Sequence, residues 1–204
     1  MKARPRHVAL ILAAGGSRRL GRPKQLLTRD GETLVHRACR LAMATSPERL
    51  LLVTGAFEEQ VLAAVADMPL EVAHNPDWEQ GLATSLTVAA KRLPDSDQPV
   101  LILGCDQPAL EATHLLALLK GAADSAAGFA GTDYVEAVGM PAVVPVAQLW
   151  NADLKGDSGL RHVLNVARRD EVVGVVSPGI HDIDTHEDLQ HGMESGCIDR
   201  DGTG

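Results

Sequence analysis

The chain has 204 residues, a length compatible with one globular domain that buries a sizeable hydrophobic core. Its net charge of −8 argues against general nucleic-acid binding, which requires a basic surface. Apolar runs stay well short of the roughly 20 residues that span a bilayer. The run after the basic residues 1–6 is also too short for a signal peptide, so we expect a cytoplasmic protein without a membrane partner.

Short apolar runs alternate with helical patterns, which predicts a three-layer, doubly wound α/β fold with a mostly parallel sheet. In chain order, the predicted strands are Val8–Leu12, Leu50–Thr54, Leu70–Ala73, Val100–Leu103, Ala126–Ala130, Ala142–Val144 and Val172–Val176. The predicted helices are Thr33–Met43, Glu58–Ala66, Leu82–Arg92, Thr113–Ala123, Gly159–Ala167 and Thr185–His191. Residues 133–136 lie between two strand runs and predict a small antiparallel part at the sheet edge.

The first predicted strand runs into a turn of small residues, and cations follow it. Glycines let the backbone approach an anion closely, and successive N–H groups form a concave anion site. Cations add charge where phosphate oxygens would lie. The segment holds Arg18, Arg19, Arg22 and Lys24. We therefore predict a polyphosphate-binding loop whose ligand-binding residues are Leu12, Ala13, Ala14, Gly15, Gly16, Ser17, Arg19 and Lys24.

Two commoner phosphate loops do not fit this segment. The dinucleotide fingerprint G-x-G-x-x-G fails because Ser17 stands where its second glycine should fall. The spacing from Gly16 to Gly21 matches a P-loop, but Arg22 and Pro23 follow it. A proline at that position would disrupt a helix that starts there. An ordinary strand-to-helix turn with solvated arginines remains the alternative.

The segment from Leu12 to Lys24 resembles the signature loop L-A-[AG]-G-x-S-x-R-M-G-x-x-K of the MobA-like nucleotidyltransferases, with Leu20 in place of the methionine. Further matches follow in the family's order, and the resemblance extends from residue 7 to about residue 190. They are Asn75–Ser85, Cys105–Pro108, Gly139–Pro141, Leu154–Gly159 and Asp182–Leu189. The resemblance implies one Rossmann-like nucleotidyltransferase domain at residues 1–192. Residues 193–204 are polar and glycine-rich, so we expect a flexible tail.

Asp106 follows the predicted strand Val100–Leu103, so it should lie at the carboxyl edge of the sheet, where ligands of open α/β sheets bind. Mg²⁺ is usually held by one or two carboxylates plus substrate phosphates, which suits a carboxylate that faces a phosphate loop. The alternative role is an N-cap for the helix after Pro108. The resemblance assigns the matching aspartate to the metal, and we predict Asp106 as a catalytic metal ligand.

Asp182 and Asp184 alternate along one segment and point the same way if that segment is extended. With Asp106 they could complete the metal site, and the resemblance places the matching residues beside the metal. Thr185, followed three residues later by Asp188, resembles a capping box that starts a helix. A capping box explains these two residues but does not require two aspartates before them.

Small polar residues precede the predicted helix Leu82–Arg92. Such residues, together with free N–H groups at a helix N-terminus, suit recognition of a sugar, base or phosphate. Trp78 in the same segment could stack on a ligand or pack under the loop, and we favour packing because the core has few aromatic residues. The predicted nucleotide-binding residues in this segment are Asn75, Gly81, Thr84 and Ser85.

These parts suit attack on the α-phosphorus of a nucleoside triphosphate, with pyrophosphate as the leaving group. Arg19 and Lys24 would hold the triphosphate as catalytic residues, and Mg²⁺ at Asp106 would act as a Lewis acid. The resemblance implies transfer of a nucleoside monophosphate to the terminal phosphate of molybdopterin. The recipient molybdoenzyme or its chaperone would then be a partner.

The loop sequence also carries a hint about the base. Ala14 and the segment Asp182–Asp184 resemble the cytidylyl branch of the family, which favours CTP over GTP. The alternatives are a guanylyltransferase on the same cofactor and a nucleotidyltransferase on another phosphorylated small molecule. A non-catalytic nucleotide-binding module and an NAD-dependent oxidoreductase fit less well, since the chain retains the full charged set and carries Ser17.

Overall fold

Seven strands form one sheet in the order β5-β4-β1-β6-β8-β7-β9. The computed structural model describes residues 6–94, 96–134, 137–151, 160, 164, 172–176 and 181–200. In chain order, the strands are β1 (Val8–Leu12), β2 (Thr28–Arg29), β3 (Glu32–Thr33), β4 (Arg49–Thr54), β5 (Glu71–His74), β6 (Pro99–Gly104), β7 (Phe129–Asp133), β8 (Val138–Pro145) and β9 (Val172–Val176). Strands β2 and β3 form a separate antiparallel hairpin.

The sheet is mostly parallel, as the alternation of strands and helices predicts. Strand β1 pairs in parallel with β4 and β6, β4 with β5, and β7 with β9. Strand β8 runs antiparallel to both of its neighbours, β6 and β7. The chain reverses between β7 and β8, where the Tyr134 N–H donates to the Ala137 carbonyl at 3.1 Å. The antiparallel strand therefore lies inside the sheet, and β9 forms that edge.

Helices cover both faces of the sheet and make three layers. They are α1 (Leu34–Met43), α2 (Glu58–Ala64), α3 (Leu82–Ala90), α4 (Ala112–Asp124), α5 (Ala147–Asn151) and α6 (His186–Glu194). In β1, Ile11 belongs to the apolar cluster under α1, α2 and α4, whereas Leu10 belongs to the cluster under α3 and α5. Among the described residues, no helix combines the length and apolarity needed to cross a membrane.

Most predicted elements are observed within a few residues of their expected ends. The predicted strand Ala126–Ala130 begins at Phe129 instead, after Gly128 with a φ of 75°. The hairpin β2–β3 and helix α5 are not predicted, because two-residue strands and a single helical turn leave no periodic pattern. Most of the predicted helix Gly159–Ala167 and the whole motif Leu154–Gly159 lie outside the described residues.

Residues 193–200, for which the sequence predicts a flexible tail, make helical and side-chain contacts with the rest of the structure. Helix α6 continues to Glu194, and the Ile198 side chain is only 2% exposed. The carboxylate of Asp199 accepts hydrogen bonds from the N–H groups of Asp30 and Gly31, both at 2.8 Å. The polar, glycine-rich composition does not indicate these contacts, since they depend on only two side chains, one buried isoleucine and one aspartate. Residues 201–204 lie outside the described part of the chain.

Candidate active site

A cavity of about 440 Å³ opens at the sheet edge where the parallel strands β1 and β6 end. Its walls come from the glycine loop after β1, from the short 3-10 helix Trp78–Gln80, and from the residues that follow β6. The predicted site residues that line it are Leu12, Ala14, Gly15, Gly16, Ser17, Arg19, Lys24, Gly81, Ser85, Asp106 and Asp184. Ala13, Asn75, Thr84 and Asp182 do not line this cavity.

Gln25 fixes the shape of the glycine loop, although the sequence patterns did not single it out. Its side-chain amide is buried and donates to the carbonyls of Ala13 and Gly15 at 3.0 and 2.6 Å. Ser17 closes the other end of the loop, because its hydroxyl accepts from the Lys24 N–H at 3.1 Å. Its position directly after Lys24, the last residue of the loop motif, is the signal that could have revealed Gln25.

Trp78 packs under the loop, as the favoured interpretation predicts, and it also lines the cavity. A Cβ added to Gly16 would lie 2.5 Å from the Trp78 ring, and one added to Gly55 would lie 2.9 Å from the Trp78 Cβ. The Arg18 guanidinium lies 5.6 Å from the centre of the indole ring, and it also pairs with Glu79 at 2.9 Å. Only glycine fits beneath the indole at residue 16.

This packing predicts unequal effects of alanine at the paired glycines of the loop. Gly16→Ala should lower the free energy of unfolding by about 1–3 kcal/mol, because the rigid indole of Trp78 must move. Gly15→Ala is the matched control, since a Cβ there meets nothing within 4 Å. Denaturant unfolding of both variants measures the difference. Equal stability of the two variants would contradict the close packing of Trp78 on the loop.

Lys24 lies at the centre of the charged group in the cavity. Its ammonium donates to Asp106 at 2.7 Å and to Asp184 at 2.8 Å. Arg19 donates to the other oxygen of Asp184, also at 2.8 Å. The structure thus brings together four of the predicted charged residues from segments far apart in the chain.

The surroundings of Lys24 and Asp184 favour the charged forms of these two side chains. Burial alone would lower the pKa of Lys24, but the charges and hydrogen bonds of Asp106 and Asp184 outweigh burial and raise that pKa. Burial would raise the pKa of Asp184, but hydrogen bonds and charges from Lys24 and Arg19 hold it below its ordinary value. The arrangement is therefore an ion-pair network with two carboxylates around one ammonium.

Asp106 does not cap a helix. Helix α4 begins at Ala112 with Glu111 at its N-cap, so Asp106 is too far upstream to fill that position. Instead it lies two residues after the end of β6, and its backbone carbonyl accepts from the Ile183 N–H at 2.8 Å. The structure excludes the N-cap alternative and places the carboxylate on the wall of the cavity, opposite the glycine loop.

Asp182 stands apart from the other two aspartates. Its carboxylate accepts from the Gln107 side chain at 2.8 Å, and the residue lines a second cavity. Partial burial, followed by the charge of Asp106, raises the pKa of Asp182 to about 6. Among the described residues, no three histidine, cysteine, aspartate or glutamate side chains form a metal-binding group. In this structure the Lys24 ammonium lies between Asp106 and Asp184, and the Gln107 side chain donates to Asp182, so the three-carboxylate metal site stays a prediction.

A capping box holds Asp184, as the Thr185–Asp188 pattern predicts. The hydroxyl of Thr185 accepts from the Asp188 N–H at 3.2 Å, at the start of α6. The Asp188 carboxylate accepts in return from the N–H groups of Thr185 and Asp184, at 2.7 and 3.1 Å. The helix start thus fixes the backbone of the residue that pairs with Lys24.

Asn75 lies beneath the site rather than on its surface. It is fully buried, and its amide donates to the hydroxyls of Thr84 and Ser85, both at 2.9 Å. The side chain therefore fixes the first turn of α3, where Gly81 has a φ of 102° that favours glycine. Of these predicted nucleotide-binding residues, Gly81 and Ser85 reach the cavity.

Two arginines that the motifs missed hold the segment after Asp106. Arg37, only 8% exposed, donates to the carbonyls of Pro108 and Leu110 at 3.1 and 2.8 Å. Arg29 donates to the same Pro108 carbonyl at 2.6 Å. Arg37 could have been noticed as a cation on the apolar face of α1, between buried leucines at positions 34 and 41.

A mostly parallel α/β sheet, with a cationic glycine loop facing carboxylates across the strand ends, is typical of nucleotide-binding α/β proteins. The family model described as the MobA-like NTP transferase domain matches residues 9–172, and the chain belongs to this family. The family resemblance that the motifs carry is thereby confirmed.

Curated relatives share part of this chain. The bifunctional protein GlmU of Thermus thermophilus is 38% identical over 116 residues, which cover 56% of this chain and 25% of the relative. GlmU of Burkholderia mallei is 37% identical over 122 residues, 58% of this chain and 26% of the relative. The chain thus spans about a quarter of the length of these relatives.

Solved structures share the fold over nearly the whole chain. Rv0371c from Mycobacterium tuberculosis is 27% identical with a TM-score of 0.78, covering 93% of this chain and 98% of that one. A structure of Rv0371c in complex with manganese is 24% identical with a TM-score of 0.74, covering 94% and 100%. Molybdopterin-guanine dinucleotide biosynthesis protein A from Archaeoglobus fulgidus is 17% identical with a TM-score of 0.63, covering 92% and 97%.

Proposed function

We propose that this protein is a metal-dependent nucleotidyltransferase that transfers a nucleoside monophosphate to a phosphorylated acceptor and releases pyrophosphate. One observation carries the proposal: two cations of the glycine loop, Arg19 and Lys24, meet two carboxylates, Asp106 and Asp184, on the wall of one cavity. Such a site offers cations to phosphate oxygens and carboxylates to a divalent metal.

The carboxylates suit Mg²⁺ as the metal. Oxygen atoms of Asp106 and Asp184 both lie within 2.8 Å of one ammonium nitrogen, so a single cation can contact both groups. Carboxylate oxygens are hard ligands, which Mg²⁺ and Mn²⁺ prefer. The bound metal would supply Lewis-acid polarisation of the α-phosphate. Asp182, which accepts a hydrogen bond from Gln107, would add negative charge near these two carboxylates and would not be the primary metal ligand.

The remaining work is positioning and charge stabilisation by this chain's own residues. An acceptor phosphate oxygen forms a bond to the α-phosphorus, and the bond to the bridging oxygen breaks with its electron pair leaving on pyrophosphate. Arg19 and Lys24 stabilise the charge that develops on that leaving group. Gly81 and Ser85, which line the cavity at the start of α3, would contact the nucleoside, and Asn75 holds the Ser85 hydroxyl in place.

We further propose molybdopterin as the acceptor and CTP as the preferred nucleotide. The family membership and the name of the Archaeoglobus neighbour support the acceptor. The sequence Leu12-Ala-Ala-Gly supports the base, because Ala14 lines the cavity where the guanylyl branch carries glycine. The second candidate is GTP with the same acceptor.

Nucleotide choice can be measured directly. With Mg²⁺, CTP should raise the melting temperature more than GTP, ATP or UTP does, because a tighter ligand stabilises the native state more. Pyrophosphate release with a molybdopterin acceptor should show the same order. Ala14→Gly should weaken the preference, because the methyl group that excludes a purine is gone. A wild-type protein that uses GTP at least as well as CTP would reject the cytidylyl assignment.

A further inference from the structure

One small apolar cluster, separate from the two main cores, contains neighbours in the chain of both the cations and the carboxylates of the charged group. We call it the satellite cluster, and its members are Leu20, Leu27, Leu34, Ile183, Leu189 and Ile198. Leu20 belongs to the glycine loop beside Arg19, and Ile183 directly precedes Asp184. A shift within this cluster would therefore move the cations and the carboxylates relative to each other.

The C-terminal residues close this cluster. Ile198 and Ile183 pack against the same glycine of α6, since a Cβ on Gly192 would lie 3.0 Å from one side chain and 3.3 Å from the other. The N–H groups of Cys197 and Ile198 both donate to the Gly192 carbonyl, at 2.8 and 3.0 Å. The C-terminal residues are thus fixed to the Asp184 side of the site.

The C-terminal residues also form hydrogen bonds with the β2–β3 hairpin, which follows Lys24 in the chain. Asp199 accepts from the N–H groups of Asp30 and Gly31, at the tip of the β2–β3 hairpin, and its own N–H donates to the Thr28 carbonyl at 2.8 Å. That hairpin follows the segment of Lys24 closely in the chain. Residues 197–199 therefore connect helix α6, which follows Asp184, to the β2–β3 hairpin, which follows Lys24.

We propose that residues 197–199 form a positioning clamp that holds Asp184 in register with Arg19 and Lys24. The proposal rests on the proposed function of this site, because it assigns these residues a part in the same reaction without contact to substrate. Truncating Ile198 or Asp199 should loosen the segment around Asp184 and slow turnover, while the two main cores remain intact.

Hydrogen exchange tests the clamp without any substrate. In Ile198→Ala, the Ile183 amide, which donates to the Asp106 carbonyl, should exchange at least about 10-fold faster than in the wild type. Leu119→Ala, in the buried face of α4, is the control that lowers stability elsewhere. Asp199→Ala removes the carboxylate that accepts from the N–H groups of Asp30 and Gly31, and this second variant should give the same change if Ile198→Ala does not fold. Unchanged exchange at Ile183 in the folded variants would overturn the proposal.

Turnover separates positioning from general stability. With the nucleotide that the thermal-shift screen selects, Ile198→Ala should lower kcat by about 10-fold with a smaller change in KM, because misplaced groups cost mostly reaction rate. Ile198→Val should restore most of the rate, and Leu119→Ala should keep kcat near the wild-type value. Equal losses of kcat in Ile198→Ala and Leu119→Ala would overturn the clamp. If no nucleotide supports turnover, the proposed function fails, and hydrogen exchange still decides the clamp.

Discussion

Lys24→Ala is expected to lower kcat/KM for the nucleoside triphosphate by about 10²–10³-fold, the range found when one charge-stabilising donor is removed. The ammonium of Lys24 contacts both Asp106 and Asp184, so the substitution removes the cation proposed to face phosphate and the ion-pair partner that both carboxylates share. The Lys24 side chain is 18% exposed. We expect stability to fall by about 1–3 kcal/mol, between the values for exposed and buried pairs.

Mg²⁺ provides the sharpest measurement on this variant. Without the ammonium, Asp106 and Asp184 repel each other and bind a divalent cation more readily, so Mg²⁺ should raise the melting temperature of Lys24→Ala more than that of the wild type. Arg22→Ala is the matched control, because Arg22 belongs to the same loop but does not line the cavity. A Lys24→Ala variant with wild-type turnover would refute the role of this lysine.

The sequence predicts the parts of the site that local pattern determines. Strand β1, the glycine turn after it, and Asp106 at the end of β6 each depend on a few neighbouring residues. The capping box at Thr185 and Asp188 is likewise a local signal, and the structure confirms it. Parallel strands then bring these ends to one edge, so the place of the site follows from fold class alone.

Contacts between distant segments were beyond prediction. Lys24 and Asp184 lie 160 positions apart, and nothing in either segment indicates that one ammonium would join two aspartates. The separation of Asp182 from them depends on Gln107, whose neighbours give no hint of that hydrogen bond. The contacts of the C-terminal residues, where the sequence predicts a flexible tail, have the same origin, since burial of Ile198 depends on apolar side chains from other segments.

Asp106→Asn is expected to lower turnover by about 10²-fold or more, because the amide keeps the shape of the side chain but loses the charge that would hold the proposed Mg²⁺. Its effect on stability should be smaller, since Asp184 still pairs with Lys24 at 2.8 Å. The structure removes the rival explanation, because Glu111 rather than Asp106 occupies the N-cap of α4.

The decisive comparison is between aspartates of the same site. Asp182→Asn should lower turnover less than Asp106→Asn does. Asp182 accepts a hydrogen bond from Gln107 and does not line the cavity that contains Lys24 and Asp106. The Mg²⁺ concentration for half-maximal turnover should rise in Asp106→Asn and change little in Asp182→Asn. If the two variants lose activity equally with unchanged Mg²⁺ dependence, the metal does not sit at Asp106. The carboxylates would then act only by holding Lys24 in place, where its ammonium can bind phosphate.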